Sequence, residues 1–290
     1  MHGTGVPLVT PFDEGGALDT DRLTDLVSWV EARGVDFLVP CGSTSEAPLL
    51  TPDERTRVVE TVADAASVPV LAGTGYAGYR RTLAATEDAA SAGADAALVV
   101  TPYYFNHGQA AFETYYRDLA DESPLPVYLY HVPVFARASL SVDTVRRLAD
   151  HGNVHGMKDS SGDITAFQRL RQATADADFD LVTGVGSVYG PALDAGGDGG
   201  ILALANIVPE AASSVYDRYD GDPDAARELS ASLVELDQMV TAEYGIPGLK
   251  AGMRDRGAPA GYPRRPFSDA SEGARETVAG LVDDALGRVE

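Results

Sequence analysis

Lysine is almost missing from this chain. Of its 22 Lys and Arg residues only two, Lys158 and Lys250, are lysines. A guanidinium stays protonated and cannot act as a nucleophile, so a lysine kept in an arginine-biased chain marks a place where an amine itself is wanted. Cysteine is scarce too. Cys41 stands alone, which excludes an internal disulfide and fits a reducing cytoplasm. No apolar run is long enough to span a membrane as a helix. The opening Met1-His2-Gly3-Thr4 has neither the basic nor the apolar segment of an export signal, so a cytoplasmic location is expected. Positive charge is outnumbered, 22 Lys and Arg against 44 Asp and Glu, for a formal net charge of −22. The acids are dispersed (Asp19, Asp21, Asp25, Asp53, Glu54, Asp283 and Asp284 among them) and form no tail. Such a surface repels nucleic acid. Also missing are a Gly-x-Gly-x-x-Gly turn after the first strand and a metal-ligand spacing among His107, His131, His151 and His155.

What is present is a repeat of short apolar runs. They fall at Gly5–Thr10, Phe37–Pro40, Val70–Gly73, Ala97–Thr101, Val127–Tyr130, Val154–Lys158, Leu181–Gly184 and Gly200–Leu204. Their spacing, roughly 20–30 residues, is that of strand–helix units. Helix-start signals lie between them: Asp19-Thr20-Asp21, Thr51-Pro52-Asp53-Glu54 and Ser141-Val142-Asp143. Gly34, Gly93 and Gly152 read as helix C-caps. Eight such units predict an α/β fold, a (β/α)8 TIM barrel over residues 1–222, rather than a doubly wound open sheet. Residues 223–290 lack strand runs and read as a helical extension packed on the barrel, interrupted by the Pro- and Gly-rich Gly257–Pro266 loop.

A barrel presents its chemistry at the C-terminal ends of its strands. Those ends carry Gly42-Ser43-Thr44-Ser45-Glu46, Thr101-Pro102-Tyr103-Tyr104, Tyr130-His131-Val132-Pro133, Lys158, Gly184-Val185-Gly186 and Ile201. One amine, a phenol from the neighbouring strand and two hydroxyls would then face one mouth. A lysine at the end of a buried strand loses part of its affinity for the proton and is a candidate Schiff-base former. That points to a lyase acting on a carbonyl substrate. Lys250, in a helical segment outside the barrel, reads as structural or surface.

These segments, in this order and together with Val6-Pro7-Leu8-Val9-Thr10-Pro11-Phe12, Gly156-Met157-Lys158-Asp159, Gly199-Gly200-Ile201 and Ala205-Asn206-Ile207-Val208-Pro209, resemble the dihydrodipicolinate synthase and N-acetylneuraminate lyase family of class I pyruvate-dependent aldolases. The resemblance covers nearly the whole chain. It implies that Lys158 forms the imine with pyruvate and that Tyr130 carries protons. It implies that Ser43 and Thr44 bind the pyruvate carboxylate, with Ser43 also relaying protons. It places Tyr104 where the family has a tyrosine that reaches into a neighbouring subunit's relay, although packing explains Tyr104 as well. Ile201 matches a position whose backbone lines the pyruvate site. The family also implies a homotetramer. No cofactor and no metal are expected, because the imine itself is the electron sink.

The departures are informative. His131 stands where the family usually has Asn, and Ser45 where glycine is expected. Synthases of the family carry an arginine five residues after the tyrosine to hold the aldehyde's carboxylate; here that residue is Phe135, and Arg137 is the nearest arginine. The acid-rich, lysine-poor composition resembles cytoplasmic proteins of salt-loving archaea, and molar salt is expected to be needed for folding and activity. The expected activity is reversible cleavage of 2-keto-3-deoxygluconate, or its 6-phosphate, to pyruvate and glyceraldehyde or its 3-phosphate, in Entner–Doudoroff sugar degradation. The rivals within the family are 4-hydroxy-tetrahydrodipicolinate synthase and a 2-keto-3-deoxy sugar acid dehydratase.

Overall fold

The computed structural model describes residues 1–289. The eight apolar runs become eight parallel strands: β1 (Gly3–Val6), β2 (Phe37–Leu38), β3 (Leu71–Gly73), β4 (Ala96–Val100), β5 (Val127–His131), β6 (Val154–Asp159), β7 (Asp180–Thr183) and β8 (Gly199–Ile201). Their order is β2-β1-β8-β7-β6-β5-β4-β3. The two edges meet through a parallel Leu38–Val70 bridge. Leu38 N donates to Pro69 O and Gly73 N to Pro40 O, both at 2.9 Å, which nearly closes the (β/α)8 barrel. The first strand begins and ends earlier than its apolar run. Pro7 offers no N–H to a ladder, so β1 stops at Val6, while Leu8 and Val9 remain buried beyond it.

Helices follow the strands: α1 (Thr20–Glu31), α2 (Pro52–Ala65), α3 (Tyr79–Ser91), α4 (Gln109–Glu122), the single turn α5 (Pro133–Ala136), α6 (Val142–Ala149), α7 (Ile164–Ala173), α8 (Tyr189–Asp194) and α9 (Pro209–Tyr219). The three start signals act as expected. Asp19 accepts from Arg22 N at 3.0 Å, and Ser141 from Thr144 N at 3.1 Å. Thr51 and Glu54 form a reciprocal capping box with Pro52 in the first turn. Gly34 and Gly93 take left-handed conformations after their helices, with φ of 85° and 92°. Gly152 does not: α6 has already ended at Ala149, capped by Asp150.

Alternation along each strand divides the core into two layers. Leu98, Tyr128, Tyr130, Val182 and Ile201 fill the barrel interior. Ala97, Val99, Val127, Leu129 and Met157 face the surrounding helices. After Asp222 come α10 (Pro223–Ser232), α11 (Val234–Gln238), α12 (Gly245–Asp255) and α13 (Glu272–Leu286). The Gly257–Pro266 loop brings Tyr262 back to Phe12, its N–H donating to Phe12 O at 2.8 Å. Glu290, the last residue of the expected extension, lies outside the described residues. Among those described, no helix is long and apolar enough to cross a membrane.

Candidate active site

Strands β5 and β6 pair with Tyr130 opposite Lys158 and His131 opposite Asp159. Side chains on adjacent positions point to opposite faces, so the first pair shares the barrel interior and the second the helix side. Lys158 Nζ lies 4.7 Å from the centre of the Tyr130 ring. The lysine is only 5% exposed. Burial lowers its pKa from 10.5 to about 7, with no neighbouring carboxylate to oppose the shift. The same burial raises the Tyr130 phenol, while the Ser43 hydroxyl pulls it back. Ser43 Oγ is 3.3 Å from the Tyr130 hydroxyl. Ser160 Oγ is buried without a hydrogen-bonding partner. Room for this arrangement comes from Gly184 at the end of β7. A Cβ there would sit 1.9 Å from Ser160 Oγ and 2.6 Å from Lys158 Cε.

Ser43 and Thr44 lie on the loop that follows β2, both half-buried. The link to the phenol is made by Ser43. Ser45, where glycine was expected, pins the loop to the barrel. Its hydroxyl donates to Leu8 O at 2.5 Å and accepts from Gly42 N at 3.1 Å. A cavity of about 170 Å³ opens beside the loop, with Ser43, Arg55, Tyr103, Tyr130, Val132 and Phe135 among its walls. Tyr130 both lines this cavity and lies beneath the Lys158 amine. Arg55 Nη2 and Nε donate to Ala47 O at 2.8 and 3.1 Å.

Other expected site residues sit apart. Tyr104 is 86% exposed and meets Phe105 edge-on at 5.1 Å, so within one chain it does not reach the Ser43–Tyr130 pair. Ile201 is buried inside the barrel, at the end of β8 beside β1. Arg137 is exposed in a left-handed turn after α5 and is not a wall residue of the cavity. Its two-residue shift therefore does not place it where Phe135 stands. His131 Nδ1 is 2.7 Å from Asp159 Oδ1, and its Nε2 is buried without a partner. Among the described residues no cluster of three or more His, Cys, Asp or Glu side chains is placed to hold a metal ion.

Of the two readings of Lys250, structural or surface, the first holds: the residue is fully buried and bonded at 2.5 Å to the buried carboxylate of Glu46. The rarity of lysine pointed to it as plainly as to Lys158, but a helical segment outside the barrel gave no sign of its partner.

A model of the dihydrodipicolinate synthetase family matches residues 1–285. An uncharacterized DapA-like lyase of Halobacterium salinarum is 37% identical over 99% of this chain and 95% of its own length. The 4-hydroxy-tetrahydrodipicolinate synthase of Methanothrix thermoacetophila is 34% identical over 99% of both chains. The structure of the chloride-inhibited dihydrodipicolinate synthase of Acinetobacter baumannii, complexed with pyruvate, superposes with a TM-score of 0.93 at 32% identity, covering 98% of this chain and 99% of that one. The chain belongs to the dihydrodipicolinate synthetase family and is a carbon–carbon lyase of the aldolase type.

Proposed function

We propose that this enzyme joins and separates pyruvate and an aldehyde through an imine on Lys158. The observation that carries the reading is the buried, carboxylate-free amine, its pKa lowered to about 7, beside Tyr130. Near neutral pH a large share of it is the free base. That amine attacks the carbonyl carbon of pyruvate, and the resulting hydroxyl takes a proton and leaves as water to give the protonated imine. A proton then leaves the methyl carbon to give an enamine, the imine nitrogen taking the electron pair. The enamine carbon adds to the aldehyde carbonyl, whose oxygen takes a proton, and water releases the product from Lys158. Cleavage runs these steps backwards. Tyr130 is positioned to carry the protons, with Ser43 as the next hydroxyl of the relay. Ser43, Thr44 and the N–H groups of their loop would hold the keto acid's carboxylate.

The aldehyde we favour has no carboxylate: glyceraldehyde or its 3-phosphate, so that cleavage acts on 2-keto-3-deoxygluconate or its 6-phosphate. Phe135 supports this, since an aromatic ring forms the cavity wall at the position where synthases carry an arginine. A phosphate at the far end would find Arg55, the one arginine of that wall. The names of the relatives support a second reading, condensation of pyruvate with aspartate semialdehyde towards lysine. Pyruvate release from both sugar acids, set against condensation with aspartate semialdehyde in molar KCl, decides between them. A chain active only with the semialdehyde sinks the sugar-acid reading. Failure of borohydride to fix pyruvate on Lys158 sinks both.

A homotetramer belongs to the same proposal. Tyr104 and Phe105 on the loop after β4 and Val134 and Phe135 on α5 are 64–86% exposed, an apolar surface suited to a second copy. A second copy there could also bring its own Tyr104 to this chain's relay. Light scattering in molar salt tests the assembly, and a fully active monomer removes the cross-subunit role.

A further inference from the structure

The loop carrying Ser43 and Thr44 is bounded by two non-glycine residues in the left-handed region, Cys41 at φ 59° and Glu46 at φ 58°. Such conformations persist only where the surroundings impose them. Here the surroundings come from the far end of the chain. The Glu46 side chain is buried, and its two oxygens are both used. One accepts from Lys250 Nζ at 2.5 Å, the other from Arg264 N at 2.8 Å. Lys250 spends its two remaining N–H groups on Thr10 O at 2.6 Å and Tyr262 O at 2.8 Å. Thr10 passes the restraint on, its hydroxyl donating to Ser45 O at 2.7 Å. One nitrogen thus ties the Gly42–Glu46 loop, the segment after β1 and the C-terminal extension together.

We propose that Lys250 is a positioning residue. Through Glu46 and Thr10 it holds the Gly42–Glu46 loop in the form that offers Ser43 and Thr44 to the carboxylate of a keto acid. This rests on the reading above, in which that loop binds pyruvate. Three acceptors converge on one point from three directions, which suits a tetrahedral ammonium and not a planar guanidinium. That geometry accounts for a second lysine in a chain that otherwise uses arginine.

The test measures borohydride trapping of pyruvate on Lys158 as a function of pyruvate concentration, in molar KCl, for the full chain and for Lys250→Met. This needs no knowledge of the aldehyde. We expect the half-saturating pyruvate concentration to rise roughly tenfold or more, while the maximal trapping rate stays within about threefold, because one ground-state binding contact is lost and the amine is untouched. A lowered melting temperature with unchanged half-saturation means that Lys250 supports the fold alone and overturns the proposal. If Lys250→Met does not fold, Glu46→Gln decides. It keeps the size and removes the carboxylate that Lys250 Nζ and Arg264 N share, so half-saturation should rise about two- to fivefold; no rise overturns the proposal. A wild-type chain that forms no imine overturns the functional reading as well. Imine formation with unshifted half-saturation overturns this proposal only.

Discussion

Lys158 and Lys250 are the same residue in two different buried settings. Both are nearly or fully inaccessible to solvent, and for both burial is the largest cause of a lowered pKa, to about 7 and about 8. They differ in what surrounds the nitrogen. Lys250 has a carboxylate at 2.5 Å and two carbonyl oxygens, so its charge is answered on every side. Lys158 has an aromatic ring and no carboxylate. A buried ammonium without a partner is costly, and the group sheds its proton to escape that cost. Burial alone does not make a lysine a nucleophile. Burial without a counter-charge does.

The sharpest way to break this comparison is covalent trapping. Lys158→Arg should abolish both turnover and borohydride labelling, since arginine offers no free amine. A pyruvate-derived mass on Lys250 in place of Lys158 would reverse the assignment. Next in size is Tyr130→Phe, which keeps the ring beneath the amine and removes the proton carrier. Turnover should fall by about 10²–10⁴-fold; near-normal turnover makes Tyr130 a packing residue.

Stability should separate the lysines by sign. Lys250→Met leaves the Glu46 carboxylate buried and unpaired, and should cost about 3–5 kcal/mol. Lys158→Met removes a group the folded chain would prefer uncharged. The folded pKa of about 7 lies below the ordinary 10.5, so between these values the unfolded chain holds the proton and the folded chain does not. Wild-type stability therefore rises with pH across that window, and below it the full penalty applies. Lys158→Met should be more stable than wild type at neutral pH by upwards of about 1 kcal/mol, an advantage that fades towards pH 10.5. Denaturant melts of both variants at neutral and high pH check this, and destabilisation of the same sign in both erases the distinction.

The free amine gives a smaller, kinetic signature. Trapping at low pyruvate should climb about tenfold per pH unit below 7 and level off above it. A rate still climbing at the same slope beyond pH 9 would mean an amine that burial has not changed. Salt acts on the whole chain and not on one lysine, and folding and activity are expected to need it in molar amounts. The dispersed charge of −22 repels itself over tens of ångströms in dilute buffer and over about 3 Å in molar salt. The melting temperature should rise with KCl. A flat response confines the acidic surface to solubility.

Much of this was legible in the residues. Strand runs at regular spacing, helix caps at Asp19, Thr51 and Ser141, and a lone lysine at the end of β6 are local signals, read within a few residues of where they act. The position of Lys158 beside Tyr130 followed as well, because neighbouring strands of a barrel place their ends side by side. The register that puts Tyr130 opposite Lys158, and His131 opposite Asp159, is fixed only when the sheet forms. The early end of β1 was hidden in an apolar run that continues past Pro7, where the ladder cannot follow.

The lysine content and the order of the strand ends determined, from sequence alone, that this chain is a barrel lyase with an amine at its mouth. Which lysine is paired with a carboxylate was decided only in three dimensions. Lys250 and Glu46 are 204 positions apart, and no periodicity or spacing relates them. Their ion pair exists because the C-terminal helices fold back over the loop after β2. Coulombic pairing depends on distance in space, and a sequence records only distance along the chain.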